Sequence, residues 1–214
     1  MGTEKVMRCV IFSGANIDDY GFVASLLRSD DFVICADSGL RHAVTLGIKA
    51  DLLVGDFDSA DSLPPDSFVK KVTFPCEKDY TDTFAAADAA AKLDPDEVLI
   101  FGAIGSRLDH TLGNVGVLEH LHELGISAVL LDSRNEVRLM RDESVSVPRR
   151  SDCFLSLIPL DTELKGVTMT GVKYPLDGAV VRRDLTLTVS NEFAAPTAEI
   201  TVASGTALLM ITRD

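Results

Sequence analysis

The feature that most constrains this chain is an alternation, over its first two thirds, of short continuous apolar runs with segments of helical periodicity. Apolar runs of this kind are typical of strands buried on both faces, and intervening helices favour a parallel sheet covered on both sides. We therefore expect strands at 6–12, 32–35, 52–54, 72–74, 98–101 and 128–131, and helices at 19–27, 41–46, 83–93 and 111–124.

The pattern changes after about residue 140, where helical periodicity gives way to short alternating segments. Alternation between apolar and polar residues is typical of antiparallel strands. The interpretation is a two-domain α/β protein: a Rossmann-like domain with a parallel sheet at 1–140, then a smaller antiparallel β-sandwich at 141–214. The expected strands of the second domain are 153–158, 167–170, 185–189, 199–202 and 207–211.

The charge of the chain limits its partners. The 214 residues carry a formal net charge of -13, and 46% of them are hydrophobic, as in an ordinary globular protein with a sizeable core. Nucleic acid is not expected as a partner, because binding it requires basic surface that displaces counterions. An acidic protein suits a cationic ligand, or a divalent metal that brings an anionic ligand with it.

Neither a membrane nor an oxidising compartment is expected. The longest apolar stretches, such as 98–104, fall far below the roughly 20 residues of a spanning helix. The first apolar run lacks the basic flank and the length of a signal peptide. The four cysteines are scattered without a C-x-x-C spacing, so we expect no disulfide framework or zinc site and place the chain in the cytosol.

Acidic residues follow four successive predicted strands. Ligands of an open parallel sheet bind beyond the carboxyl ends of its strands, and here those ends share one edge. A single aspartate at such a junction is best interpreted as a helix cap. Four converging junctions are different, because clustered carboxylates repel one another unless a cation neutralises them. The polar residues at the four junctions are Asp37, then Asp56 and Asp58, then Lys78, Asp79 and Asp82, and finally Arg107, Asp109 and His110.

The second junction has the pattern of a magnesium site. Asp56 and Asp58 flank Phe57, so in extended backbone both carboxylates point the same way. This arrangement suits Mg²⁺ held by one or two carboxylates together with phosphate oxygens of a substrate. Lys78 and Arg107 would then supply positive charge for the phosphates themselves.

Other signals of catalysis are weaker. The chain has neither a P-loop nor a G-x-G-x-x-G after its first apolar run. The amides of the glycine-bearing segment 102–106 could hold a phosphate or nucleotide, although an ordinary loop is an equally good interpretation. His110 invites an acid–base role, but phosphoryl transfer depends mainly on positioning and electrostatics, so a locally packed helix residue is favoured. The cysteines show no base partner, which disfavours a cysteine nucleophile.

The order of these segments resembles the thiamine pyrophosphokinase family over nearly the whole chain. The matching segments are ADSG at 36–39, GDFDS at 55–59, KDYTD at 78–82 and RLDH at 107–110 with Asn114 downstream, then KYPL at 173–176 and SNE at 190–192. Ser38 and Ser106 stand where the family usually has glycine. A turn that requires a positive φ would be less comfortable with serine at these positions.

The resemblance implies an activity and an assembly. The reaction would convert ATP and thiamine to AMP and thiamine diphosphate, as the substrate hydroxyl attacks the β-phosphorus. The fold would be an α/β nucleotide-binding domain followed by a β-sandwich. The protein would be a homodimer, with thiamine bound between the N-terminal domain of one subunit and the C-terminal domain of its partner.

Residue roles carry over from the resemblance position by position. Asp37 would help to position the attacking hydroxyl or a metal-bound water, while Lys78 and Arg107 would stabilise developing charge. The remaining roles would be Mg²⁺ binding by Asp56, Asp58 and Asp82, further ATP contacts by Asp79, Thr81, Gly102, Arg107 and Asn114, and thiamine contacts by Asp109, Ser190 and Asn191.

Two other functions remain open from the sequence. One is a diphosphokinase for another primary alcohol, such as a hydroxymethylpterin, and the segment SNE at 190–192 argues for thiamine instead. The other is a catalytically silent sensor of thiamine or nucleotide. The intact set of aspartates argues against a sensor, because a binding module has no need of so many carboxylates around a polyanion.

Overall fold

The computed structural model describes residues 7–55, 68–73, 79–105 and 107–214, with the backbone alone for 68–73. The chain forms two compact units, Met1–Ser133 and Arg134–Asp214. Among the described residues, none of the helices combines the length and the hydropathy that a membrane span requires.

The first unit alternates strands with helices. Its described strand pairs are all parallel, in the order β6-β5-β1-β2-β3-β4 across the sheet, so the predicted parallel α/β arrangement is confirmed. The elements are β1 (Arg8–Phe12), α1 (Tyr20–Leu26), β2 (Phe32–Ala36), α2 (Leu40–Leu46), β3 (Ala50–Gly55), β4 (Phe68–Thr73), α3 (Asp82–Ala91), β5 (Glu97–Phe101), α4 (Leu108–Glu123) and β6 (Ser127–Leu131), with a 3₁₀ turn at Asp37–Gly39.

Helices cover the parallel sheet because its strands are apolar on both faces. All five residues of β1 are buried, and Cys9 behaves as a small hydrophobe inside it. Val10 and Phe12 belong to a core cluster with Val23 of α1 and Leu40 of α2. The alanine-rich helix α3 packs against β1, β2 and β3, since its small side chains allow close approach.

The second unit consists of antiparallel strands in two sets, β12-β9-β14-β7 and β11-β10-β13-β8. One apolar cluster contains residues of both sets, including Leu155 and Ile200. The predicted antiparallel β region is therefore confirmed. The strands are β7 (Asn135–Arg141), β8 (Ser144–Pro148), β9 (Phe154–Pro159), β10 (Glu163–Thr170), β11 (Leu176–Arg182), β12 (Asn191–Glu192), β13 (Thr197–Thr201) and β14 (Thr206–Thr212).

The strand predicted at 185–189 is wrong, because this segment forms turns. Its alternation is real but places the leucines outward: Leu185 and Leu187 are more than half exposed. Thr188 is the buried member, and its hydroxyl donates to the Leu157 carbonyl. Conversely, β7, β8 and β11 were not expected, since charged residues, serines and a glycine interrupt their apolar alternation.

Candidate active site at the carboxyl edge of the parallel sheet

Asp37 lies directly beyond β2, at the edge where the carboxyl ends of the parallel strands meet. Ala36 pairs with Val54, which sets Asp37 level with Gly55 at the end of β3. A Cβ added to Gly55 would lie 3.1 Å from the Cβ of Asp37, so glycine allows this close approach. The next residues in sequence, including the predicted metal ligands Asp56 and Asp58, lie outside the described residues, as does Lys78.

The backbone conformation at Asp37 is unusual. Its φ is +46°, in the left-handed region that non-glycine residues seldom adopt but that aspartate tolerates better than most. The neighbouring Ser38, where glycine is usual in the resembled family, is not among the described positive-φ residues. Ser38 therefore does not occupy the conformation in which serine would be less comfortable than glycine, while Ser106 lies outside the described residues.

The start of α3 brings Asp82 to the same edge. The N-cap is Thr81, whose hydroxyl accepts a hydrogen bond from the Phe84 amide at 3.2 Å. The single-junction alternative, in which an aspartate caps the helix, does not apply here because the cap is Thr81. Asp82 is instead the first helical residue and is half-buried, whereas Asp79 is exposed. A carboxylate in the first helical turn is favoured by the helix dipole.

The loop after β5 is packed against the loop after β1. Gly102 has a φ of +64°, and an added Cβ would lie 2.6 Å from the Ser13 carbonyl oxygen. Its own carbonyl accepts a hydrogen bond from the Ala15 amide at 2.8 Å. Gly102 was predicted to contact the nucleotide. This position requires glycine for two reasons, its positive φ and the lack of space for a side chain.

Helix α4 holds the other end of this loop. The buried Asn114 donates from Nδ2 to the Ala103 carbonyl at 2.7 Å, and Thr111 Oγ1 accepts from the Gly105 amide at 3.1 Å. Asn114 was predicted to contact ATP, and one of its two side-chain N–H groups is used in this hydrogen bond to the loop. Thr111 was missed by the sequence analysis, although its position one helical turn before Asn114 could have suggested it.

Arg107 and Asp109 form a two-point ion pair at the start of α4. The Arg107 Nη2 lies 2.6 Å from Asp109 Oδ2, and its Nε lies 3.2 Å from Oδ1. The hydrogen bond from Arg107 lowers the pKa of Asp109 to about 2, and Asp109 raises the pKa of Arg107. Both side chains are about two-thirds exposed. The exposed His110 donates its amide to Asp109 and sits in the first turn of α4.

Arg41 is a further cation at this edge that the sequence analysis did not single out. Its Nη2 donates to the Gly14 carbonyl at 2.7 Å and to Asn16 Oδ1 at 3.1 Å. Its position two residues beyond Gly39, at the start of a helix that follows an acidic junction, was the available signal. The described part of the edge therefore combines the carboxylates of Asp37 and Asp82 with guanidinium groups.

The donor chemistry of the edge fits a hard divalent cation. Mg²⁺ prefers oxygen ligands and is usually held by one or two carboxylates together with substrate phosphates. Asp82 is the predicted ligand that the structure describes, and its place in the first turn of α3 suits this role. Within the described ranges no three acidic, histidine or cysteine side chains form a metal-binding group.

The predicted thiamine residues of the second unit lie at β12. The Asn191 side chain is buried and closes a loop: Oδ1 accepts from the Tyr174 amide at 3.0 Å, and Nδ2 donates to the Tyr174 carbonyl at 2.8 Å. Ser190 is exposed, has a φ of +58°, and donates its amide to Ser156 Oγ. The Lys173 ammonium lies 2.6 Å from Glu192.

Comparison with known proteins gives one family for both units. Residues 23–130 match the model of the thiamin pyrophosphokinase catalytic domain, and residues 142–207 match that of the thiamin pyrophosphokinase vitamin B1 binding domain. The chain is 29% identical over 186 residues to a thiamine pyrophosphokinase of Bacillus subtilis, covering 85% of this chain and 87% of that protein.

Solved structures agree with the sequence comparison. A crystal structure of Bacillus subtilis thiamine pyrophosphokinase is 25% identical with a TM-score of 0.86, covering 97% of this chain and 99% of that one. A thiamin pyrophosphokinase structure from Geobacillus thermodenitrificans is 26% identical with a TM-score of 0.83, covering 97% and 98%. From these matches and the order of its acidic segments, the chain belongs to the thiamin pyrophosphokinase family.

Proposed function

We propose that this chain transfers the β,γ-diphosphate of ATP to the hydroxyl of thiamine, giving thiamine diphosphate and AMP in a Mg²⁺-dependent reaction. The observation that carries the proposal is the succession of the two family matches, catalytic at 23–130 and vitamin B1 binding at 142–207. The acidic junctions fall in the first match and the segment 190–192 in the second, so both substrates have a candidate site.

The transfer needs positioning more than covalent participation by the protein. A bond forms between the thiamine oxygen and the β-phosphorus, the bond from the β-phosphorus to the oxygen bridging to the α-phosphorus breaks, and that oxygen leaves with AMP. The hydroxyl proton is released in the same exchange. Asp37, half-buried at the sheet edge beside Gly55, is assigned to orient the hydroxyl.

Asp56, Asp58 and Asp82 are assigned to hold Mg²⁺. The support is the carboxylate chemistry of the set and the place of Asp82 in the first turn of α3. Bound there, the metal neutralises charge on the phosphates. Lys78 and Arg107 are assigned to stabilise the charge that develops on the transferred group.

The nucleotide is assigned to the loops that frame this edge. Gly102 sets the conformation of the loop after β5 through its positive φ, while Thr81 fixes the start of α3. Asn114 acts through Ala103, whose carbonyl it binds. Asp79, exposed just before α3, is assigned to the rim of the nucleotide site.

Thiamine is a cation, and Asp109 supplies a carboxylate that stays ionised at neutral pH. Ser190 and Asn191 are assigned to thiamine from the second unit, Asn191 by shaping the backbone of Tyr174. A homodimer that joins one subunit's Asp109 to its partner's Ser190 is supported by exposed apolar side chains beside both positions. These are Leu108 and Leu112 on α4, and Leu185, Leu187 and Val189 before Ser190.

The proposal divides the chain by function. We assign nucleotide chemistry to a Rossmann-like domain at 1–140 and thiamine recognition to a β domain at 141–214. The compact units divide seven residues earlier, after Ser133. The cytosol is the proposed compartment, and the free, fully buried thiols of Cys9 and Cys35 suit a reducing environment.

Product analysis tests the proposed function. Purified protein is incubated with Mg²⁺, ATP and thiamine, and nucleotides and thiamine species are separated. AMP and thiamine diphosphate in equal amounts support direct diphosphate transfer. ADP with thiamine monophosphate would mean attack at the other phosphorus. ATP binding without any thiamine product would favour a sensor, and AMP formed only with a hydroxymethylpterin would favour the other diphosphokinase.

A further inference from the structure

The loop after β1, residues 13–16 and here called the β1 loop, lies between the other loops of the sheet edge. Its backbone is held on the β5 side, where Ser13 N–H donates to the Phe101 carbonyl and Ala15 N–H to the Gly102 carbonyl, both at 2.8 Å. On the β2 side, a Cβ on Gly39 would clash with the Phe12 carbonyl just before the loop. Displacing the β1 loop would therefore disturb both neighbours.

Side chains from α2 fix the carbonyl groups of the β1 loop. Arg41 binds the Gly14 carbonyl, and His42 Nε2 donates to the Ala15 carbonyl at 2.9 Å. The His42 ring is buried, and its Nδ1 lies 2.7 Å from the Tyr20 hydroxyl. The β1 loop is thus a rigid reference point rather than a free connection.

Helix α3 is joined to this reference point by a pair of buried hydroxyls. Thr83 Oγ1 donates to Ser13 Oγ at 3.0 Å, across 70 positions of sequence. Ser13 is 2% exposed and Thr83 is 8% exposed. A buried hydroxyl is costly unless it is hydrogen-bonded, and an apolar residue of similar shape would fill position 83 without that requirement. Packing alone therefore does not explain why hydroxyl residues occupy these two buried positions.

The explanation lies in the residue that precedes Thr83. The capping contact of Thr81 is local to the helix and sets where α3 begins. The Thr83 contact joins the same turn to a different strand junction, so it sets where that turn lies relative to the sheet edge. Asp82 stands between these two threonines and moves with them.

We propose that Thr83 and Ser13 are positioning residues: their hydrogen bond holds the first turn of α3, and with it Asp82, where the magnesium nucleotide is bound. The inference rests on the proposed function, because that function assigns Asp82 to Mg²⁺. Both residues are buried and bonded to each other, so neither hydroxyl is assigned to the reacting atoms. Their effect is expected on binding of the magnesium nucleotide and on turnover, not on thiamine recognition.

The test compares Thr83→Val, which removes the hydroxyl, with Thr83→Ser, which keeps it. The probe is magnesium with α,β-methylene-ATP, which cannot be cleaved at the scissile bond, and its affinity is measured by calorimetry. Thr83→Val should weaken this affinity about fivefold while the KM for thiamine stays near wild type, and the Tm should fall somewhat because the buried Ser13 hydroxyl loses its partner. Thr83→Ser should restore wild-type affinity.

Ser13→Ala provides a second route to the same result if Thr83→Val folds poorly. It should give a similar loss, and the double variant should be no weaker than either single variant, because all three lack the same bond. Unchanged affinity in both single variants would overturn the proposal. So would a loss that Thr83→Ser does not restore, or a fall in Tm with a matching rise in the thiamine KM.

Failure of this inference can be told from failure of the proposed function. Wild-type protein that binds the magnesium nucleotide but forms no thiamine diphosphate would reject the function, and the calorimetric comparison would still report on Thr83 and Ser13. Active wild-type protein together with an unaffected Thr83→Val variant would reject the positioning role alone.

Discussion

The Arg107 guanidinium holds both carboxylate oxygens of Asp109, with distances of 2.6 Å to Oδ2 and 3.2 Å to Oδ1. The two residues are two positions apart at the start of α4, and both are largely exposed. An exposed pair of this kind contributes little to folding, and salt screens it. Its main effect is on charge. Asp109 stays ionised, and its negative charge balances the positive charge of Arg107 when no anionic ligand is bound.

The first prediction concerns the pKa of Asp109. Arg107→Met removes the hydrogen bond that lowers this pKa to about 2, so the pKa should rise towards its ordinary value of 3.8. The pKa of Asp109 is lower in the folded protein than in the unfolded chain. The ion pair therefore contributes to folding stability above pH 3.8, and this contribution is lost as the pH falls through 2. Carboxyl-carbon NMR titration measures the shift. A pKa that remains at about 2 would show that another group holds it.

The second prediction concerns turnover. Asp56→Asn should lower the rate of AMP formation by several orders of magnitude while circular dichroism remains that of the wild type, since the variant loses a proposed metal ligand. Asp94→Asn is the control: Asp94 is exposed after α3, has a φ of +52° that asparagine also tolerates, and should leave turnover unchanged. Equal rates for wild type and Asp56→Asn would remove Asp56 from the mechanism.

The third prediction separates packing from backbone strain at glycine. Gly47 and Gly102 have nearly equal φ angles, +67° and +64°, but nothing lies within 4 Å of a Cβ added to Gly47. Gly47→Ala should cost about 1 kcal/mol of unfolding free energy from the left-handed conformation alone. Gly102→Ala should cost about 1–3 kcal/mol more, because its Cβ would meet the Ser13 carbonyl. Urea unfolding measures both, and equal costs would contradict the packing argument.

The fourth prediction concerns His42 and pH. Burial lowers the pKa of His42 from its usual 6.5, with a further lowering from Arg41. The unfolded chain therefore binds this proton at higher pH than the folded chain, and stability should fall as the pH drops below about 6.5. His42→Gln should be less stable at neutral pH and should lose part of that pH dependence. If the stability of the wild type and that of His42→Gln changed with pH in the same way, other groups would be the cause of the pH dependence.

The fifth prediction tests the proposed homodimer. Leu112 on α4 is 62% exposed, and a glutamate at this position should shift the protein towards monomer in sedimentation experiments, because it places a charge in an apolar contact. Val44→Glu is the matched control, since Val44 of α2 is 42% exposed and is not assigned to the contact. Wild-type protein that sediments as a monomer, or a Leu112→Glu variant that remains dimeric, would reject this surface.

Local pattern was enough to predict the parallel unit. Its strands are buried on both faces and so appear as continuous apolar runs, such as 98–101 within β5. Helix ends moved by a few residues: α4 begins at Leu108 rather than at 111. The antiparallel unit was less predictable, since a strand with one buried face tolerates charges on the other, as β7 does. Alternation also misled at 185–189, a segment that forms no ladder with any of the described strands.

The sequence by itself determined which residue types stand at the strand junctions, and the parallel topology then required them to share an edge. Tertiary structure decided how those junctions are joined. The fit of Gly55 against Asp37 and the hydroxyl pair of Thr83 and Ser13 join residues of different strand junctions. No local pattern encodes such contacts, because each depends on two segments that approach only when the sheet has formed.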